Sequence, residues 1–215
     1  MADAKICGIR DIAALDAALS GGARYVGFVV HAKSPRNLRA EEALPLFERA
    51  RGRADTVAVI SDAPEERFRE VAAMLKPDWI QVHGAEAPER VASLKPLARK
   101  GVIKAFGVAL EEDFAAMARF AAVADMLLFD AKPPKGADRA GGHGLAFDWK
   151  LLKGRSFPRP WLLSGGLNPE NVAEAIALSG SGLVDVSSGV ESAPGIKDPA
   201  RIAAFLAAAK TAPQP

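Results

Sequence analysis

Eight short apolar runs recur along the chain at intervals of about 25 residues, the repeat of a βα unit, and each is followed by a stretch with helical spacing. The runs fall at 4–7, 24–30, 56–60, 78–82, 101–106, 125–130, 160–163 and 182–186. YVGFVV, TVAVI and DMLLFD are almost continuously apolar, which is how parallel strands read when both faces of their sheet are covered. The segments between them are amphipathic, EEALPLFERARG and PEERFREVAAMLK for example, and in the second Phe68, Val71 and Leu75 share one helical face. Asn168-Pro169 and Asp198-Pro199 each read as a helix N-cap followed by proline at the first helical position. No linker interrupts the alternation. The expectation is one α/β domain over 1–210, with 211–215 (TAPQP) as a disordered tail.

Such an alternation either closes into a barrel or stays open as a doubly wound sheet. Eight regular units in 215 residues fit a single (β/α)8 TIM barrel, whose size range begins near ~200 residues. The GxGxxG of a dinucleotide-binding open sheet is missing after the first run.

Charge and composition remove several functions. The 28 Lys and Arg nearly balance the 26 Asp and Glu, and no dense basic cluster suits nucleic acid. Arg49, Arg51 and Arg53 read as a solvated helix end. No stretch approaches ~18 consecutive apolar residues, so no membrane span is expected. The opening MADAKICGIR lacks the apolar core of a signal peptide, and the expected compartment is the cytoplasm. The single cysteine, Cys7, excludes an intramolecular disulfide and a multi-cysteine metal cage.

Barrels of this kind carry their active sites at the C-terminal ends of the strands. That rule selects Cys7-Gly8, the segment 31–36, the segment 81–84, Asp130, Ser164-Gly165-Gly166 and the segment 185–189. Small residues after strands seven and eight let backbone N–H groups approach an anion. A phosphate site is therefore expected on Gly165, Gly166, Ser187, Ser188 and Gly189, with Gly142 and Gly144 of a third glycine run, 141–144, adding donors. Any one of these glycines alone reads as a tight turn; three such runs on consecutive strand ends favour phosphate.

Cys7 is either an inert buried thiol or, with cations nearby, a general base. Asp130, delivered by a hydrophobic strand, is either a structural acceptor or a general acid kept partly protonated by desolvation. Arg36 is a solvated loop charge or a fork that grips a carboxylate. His31, His83 and His143 lie on the same face without ligand spacing, so no metal is expected. His83 is placed beside the site as a hydrogen-bonding or packing residue. Lys104 in the fifth run keeps a Schiff-base aldolase open, and a metal-dependent epimerase and a non-catalytic phosphate-sensing barrel are further alternatives.

Taken together, KICGI at 5–9, GFVVHAKSPRNL at 27–38, QVHG at 81–84, LLFD at 127–130, GGHGLAFDW at 141–149, LSGGLNPENV at 163–172 and VDVSSGVES at 184–192 resemble the phosphoribosylanthranilate isomerase family, in family order across nearly the whole chain. The resemblance implies an Amadori rearrangement of N-(5′-phosphoribosyl)anthranilate to 1-(o-carboxyphenylamino)-1-deoxyribulose 5-phosphate in tryptophan biosynthesis. It implies no cofactor, no metal, a small phosphorylated substrate as ligand, and a monomer or homodimer. By position, Cys7 matches the family's general base, Asp130 its general acid and Arg36 its carboxylate-holding arginine. The glycine loops and Ser187, Ser188 and Gly189 match its phosphate grip, and Asp185 a position near the sugar hydroxyls. His143 departs from the small hydroxyl residue that many relatives carry there.

Overall fold

A computed structural model describes residues 1–132 and 146–212. Its strands are β1 Asp3–Cys7, β2 Tyr25–His31, β3 Asp55–Ile60, β4 Trp79–Val82, β5 Gly101–Val108, β6 Met126–Ala131, β7 Trp161–Leu163 and β8 Leu183–Val186. Each pairs in parallel with the next, and β8 returns to β1, so the sheet closes as a barrel. The barrel expectation holds, with every strand within two residues of its apolar run. Among the described residues no helix is long and apolar enough to cross a membrane.

Among the described residues the outer layer departs from eight regular units. The α-helices are α1 Ile12–Ser20, α2 Ala40–Ala50, α3 Glu65–Leu75, α4 Pro88–Leu94, α5 Val172–Ser179 and α6 Pro199–Thr211. After β5 stands a 3-10 helix, Glu111–Phe120, and before β7 another, Trp149–Leu152. The first has a visible cause in the sequence. Its buried residues Phe114, Met117 and Phe120 are spaced by three, which aligns them on one face only when there are three residues per turn. They continue into an aromatic cluster where Phe129 lies 4.8 Å from Phe157 and 5.6 Å from Trp161, centroid to centroid.

The two Asx-Pro pairs make the same side-chain bonds but lead into their helices differently. Asp198 caps α6 directly, its side chain accepting from the amides of Ala200 and Arg201. Asn168 Oδ1 accepts in the same way from the amides of Glu170 and Asn171, both at 2.9 Å, and its carbonyl accepts from the amide of Val172 at 3.1 Å. These are the bonds of an N-cap, made at the turn 168–171 that precedes the regular helix α5 at Val172. At the other end α6 runs through Thr211, so only 213–215 of the expected tail remain, and they lie outside the described residues.

Alternation along the strands separates two cores. Cys7, Tyr25, Val29, Val57, Val59, Ile103, Ala105, Met126, Leu128 and Leu162 pack together inside the barrel, while Ile6, Phe28, Ala58, Val102, Phe106 and Phe129 pack outward against the helices. This two-residue period decides which strand side chains face the barrel axis.

Candidate active site

On the inward period lie Lys5 and Cys7 of β1, Gly27 of β2, Gln81 and the following His83 at β4, Asp130 of β6, Ser164 just past β7, and Asp185 of β8. A chain of otherwise apolar strands thus gathers its polar groups on one axis. Cys7, His83, Asp130 and Ser164 stand at or just past the C-terminal strand ends, where the sequence placed the site.

Asp130 is buried at the end of β6. The amide of Ala131 donates to Oδ1 at 2.8 Å, and Oδ2 lies 3.4 Å from Nε2 of His83. Burial pushes the Asp130 carboxyl up to about 7, and the Asp185 carboxylate adds to the rise. The Ala131 amide and the cations Lys5 and Arg36 act in the opposite direction without cancelling it. Burial also holds the His83 imidazole down at about 4, so at neutral pH it faces Asp130 uncharged. The result is a carboxylic acid that retains its proton in a substantial fraction of molecules at neutral pH.

Cys7 is buried at the end of β1. Burial pushes its thiol up, and the Lys5 ammonium pulls it back in part. Lys5 has no exposed surface, and its Nζ donates to Oδ1 of Asp185 at 2.7 Å. Burial works to lower Lys5, but Asp185 and Cys7 outweigh it and leave the ammonium above its ordinary value. The other oxygen of Asp185 accepts from Ser164 Oγ at 3.1 Å. Asp185 is thus engaged through both oxygens with protein groups.

Arg36 lies in the loop after β2 and is buried, not solvated. Its fork is bidentate on Glu191, Nε to Oε1 at 2.6 Å and Nη2 to Oε2 at 2.8 Å. Lys197 donates to the same Glu191 Oε1 at 2.6 Å and to the carbonyl of Ser187 at 2.9 Å. Glu191 and Lys197 belong to a short hairpin beyond β8, β9 Glu191–Ala193 with β10 Ile196–Lys197. Burial works to raise the Glu191 carboxyl, but Arg36 and Lys197 overcome it and hold it below its ordinary range. Two cations around one carboxylate leave one positive charge in excess at the rim.

The small-residue loops expected to hold phosphate stand at the ends of β7 and β8. Gly165 and Gly166 have φ of +87° and +68°, a left-handed pair that side-chain-bearing residues adopt at a cost. Among the described residues none accepts a hydrogen bond from either amide. The turn Ser188–Val190 is a single 3-10 turn. The Ser187 hydroxyl donates to the carbonyl of Cys7 at 3.1 Å, so it ties the β8 loop to β1. Gly142 and Gly144, with His143, lie outside the described residues.

Lys104 is on the opposite face of its strand from Ile103 and Ala105. Its Nζ sits outside the barrel wall, 2.9 Å from Glu86 Oε2 and 5.7 Å from the Phe120 ring centroid. A Schiff-base lysine must reach a substrate inside the mouth, so this geometry removes the aldolase alternative. Among the described residues no three His, Cys, Asp or Glu side chains converge to hold a metal ion.

Sequence reasoning named Cys7, Arg36, His83, Asp130 and Asp185 but missed Lys5, Glu191 and Lys197. For Lys5 a signal existed: a lysine in the apolar run AKIC, on the same strand face as Cys7, has to be buried with a partner. Glu191 and Lys197 had no such signal, since both sit in a polar stretch that reads as surface. Gln81 also points inward, and its Oε1 is buried without a hydrogen-bond partner among the described residues.

Comparison with known proteins places this site in context. The profile of the N-(5′-phosphoribosyl)anthranilate (PRA) isomerase family matches residues 4–208. The N-(5′-phosphoribosyl)anthranilate isomerase of Paracoccus denitrificans is 52% identical over 209 residues, covering 97% of both chains. The crystal structure of phosphoribosyl anthranilate isomerase from Thermotoga maritima superposes with a TM-score of 0.87 at 36% identity, over 98% of this chain and 99% of that one. A crystal structure of such an isomerase in complex with reduced 1-(o-carboxyphenylamino)-1-deoxyribulose 5-phosphate gives a TM-score of 0.83 at 33% identity, over 98% and 99% of the two chains.

Proposed function

The chain belongs to the N-(5′-phosphoribosyl)anthranilate isomerase family, and on that basis we propose how its own residues carry out the reaction. The reaction is the conversion of N-(5′-phosphoribosyl)anthranilate to 1-(o-carboxyphenylamino)-1-deoxyribulose 5-phosphate, an aldose-to-ketose isomerisation in tryptophan biosynthesis.

Asp130 is the general acid. It gives its proton to the furanose ring oxygen, the C1′–O bond breaks, and the anthranilate nitrogen takes the charge as an iminium. Cys7 is the general base. As thiolate it takes the proton from C2′, which the adjacent iminium has made acidic, and an enolamine forms. The enolamine becomes the ketone as C1′ gains a proton and the C2′ hydroxyl loses one, which restores acid and base. The observation that carries this reading is the buried carboxyl at the end of β6, held near 7 and within reach of the charges on β1 and β8. An acid that still has its proton near neutrality is what ring opening requires.

Positioning comes from the two ends of the substrate. Arg36 is the carboxylate anchor, and the free amides of Gly165 and Gly166 with the Ser188-Gly189 turn are the phosphate anchor. Holding both ends fixes the sugar between acid and base, which replaces a loss of freedom the chemical step would otherwise have to overcome. The excess positive charge of the Arg36–Glu191–Lys197 group favours a doubly anionic ligand. His83 keeps the acid's second oxygen oriented without competing for its proton.

The direct test forms the labile substrate in situ and follows anthranilate fluorescence on adding enzyme freed of metal. Loss faster than spontaneous hydrolysis, with the deoxyribulose phosphate recovered, supports the reading. No acceleration by a folded protein that still binds phosphate ligands would reject it in favour of a binding barrel.

Arg36→Ala should raise KM about tenfold to hundredfold with kcat within a few-fold, the size of one charge-assisted contact. Steady-state kinetics decide this, and an unchanged KM would remove the carboxylate assignment.

A further inference from the structure

The barrel closes where β1 meets β8, and in that seam Lys5 and Asp185 are register partners. Both point inward, and the Lys5 ammonium is completely buried against the Asp185 carboxylate. Cys7 follows Lys5 by two residues on the same face. On its other flank the register partner of Cys7 is Gly27 of β2. A Cβ on Gly27 would lie 3.1 Å from Cys7 Sγ and 3.2 Å from Lys5 Cε. The missing side chain is therefore the space into which both the thiol and the lysine stem lean. A larger residue at this position would wedge the sulphur and the ammonium stem apart.

A lysine is a poor choice for filling a barrel interior. Its charge has to be desolvated, and a buried ion pair is often replaceable by apolar residues of similar volume at little cost to stability. This one sits beneath the only thiol in the chain. We propose that Lys5 is the positioning residue for the base: its ammonium, anchored by Asp185, carries the countercharge for the Cys7 thiolate that removes the C2′ proton. The assignment rests on the reading of Cys7 as base and adds the group that makes a buried thiolate tolerable. Asp185 then acts as the tether that sets where the ammonium stands. The titratable and charged groups facing the thiol are Lys5 on its own strand, Asp185 on β8 and Lys197 on β10, with Arg36, His83 and Asp130 around the mouth. Of these, Lys5 exerts the strongest pull toward the thiolate and Asp185 opposes it.

The test uses the fact that a single cysteine makes thiol chemistry site-specific. The rate of alkylation by iodoacetamide is measured against pH, with mass spectrometry to confirm one adduct. Lys5→Met should move the midpoint up by about one unit or more, the size of one lost opposite charge nearby. Asp185→Asn should move it down, because Lys5 then has no other anion to serve. A purely structural pair would not shift the thiol in opposite directions. Turnover of Lys5→Met should fall at least about tenfold at neutral pH with KM little changed, in line with the smaller thiolate fraction. Where Lys5→Met fails to fold, Lys5→Met/Asp185→Leu removes both charges, and its midpoint should still lie above that of the unmodified protein. A midpoint at or below that value in either folded variant overturns the proposal. Alkylation needs no substrate, so a failed isomerase assay and a failed Lys5 assignment are read separately.

Discussion

Asp130→Asn should reduce kcat by about 10² to 10⁴, the usual contribution of a general acid, while making the folded protein more stable at alkaline pH. The two effects share one cause. Burial raises the carboxyl from its ordinary 3.8 to about 7, so in the folded state the charged form is disfavoured. An acid whose folded pKa lies above its unfolded value binds more protons when folded between those two values. Stability therefore falls as pH rises from about 4 to about 7, and the whole penalty is present above 7. Asparagine keeps the shape, never ionises and escapes the penalty. The variant should gain about 1 to 3 kcal/mol over the unmodified protein at pH 8, a gain that shrinks toward zero by pH 4. Urea unfolding at several pH values reads it. A difference that does not change with pH would mean that Asp130 is hydrated and not held neutral.

The same ordering of groups shapes the rate. The acid must keep a proton and the base must lose one, yet the acid titrates near 7 and burial holds the thiol above its ordinary value. The fraction with both groups correctly ionised then climbs up to about pH 7, stays level, and falls once the thiol has titrated. In Asp130→Asn the break at 7 should disappear, and the residual rate should go on rising with pH until the thiol titrates. A break that persists at 7 would assign it to another group, although His83, held near 4, is a poor candidate.

Cys7→Ala should cost at least about 10² in kcat, with KM within about threefold of the unmodified value. On the proposed reading the thiol acts at C2′ and at neither anchor, so its loss removes an interaction present only while the proton is in flight. The Ala side chain leaves a small void beside Gly27, where the Lys5 stem already leans, and the ammonium remains paired with Asp185. Folding should therefore survive, and the pH dependence of thiol origin should vanish from whatever activity is left. Turnover within tenfold of the unmodified protein would show that another group removes the C2′ proton.

Much of this architecture is written in local patterns. Continuous apolar runs such as DMLLFD placed the strands, and a period of two placed Cys7 and Asp130 on the inward face. Asp198-Pro199 placed the start of α6, because a cap and the proline after it act within a few residues. Where a local pattern had two physical outcomes, the sequence was less informative. Asn168-Pro169 makes its cap-type bonds one turn ahead of α5, whose regular helix starts only at Val172. The segment EEDFAAMARF forms a 3-10 helix because its apolar spacing is three and its rings meet Phe129.

Strand positions and the inward face of each strand were thus fixed by the order of residues along the chain. The company those residues keep was not. Lys5 meets Asp185 across 180 residues of sequence, and Arg36 meets Glu191 across 155. Lys104, as polar and as strand-borne as Lys5, turns outward to Glu86. Periodicity specifies the direction in which a side chain points. Which charge lies opposite depends on the closure of β8 onto β1 and on the strand register, and a buried charge is kept or neutralised according to that neighbour.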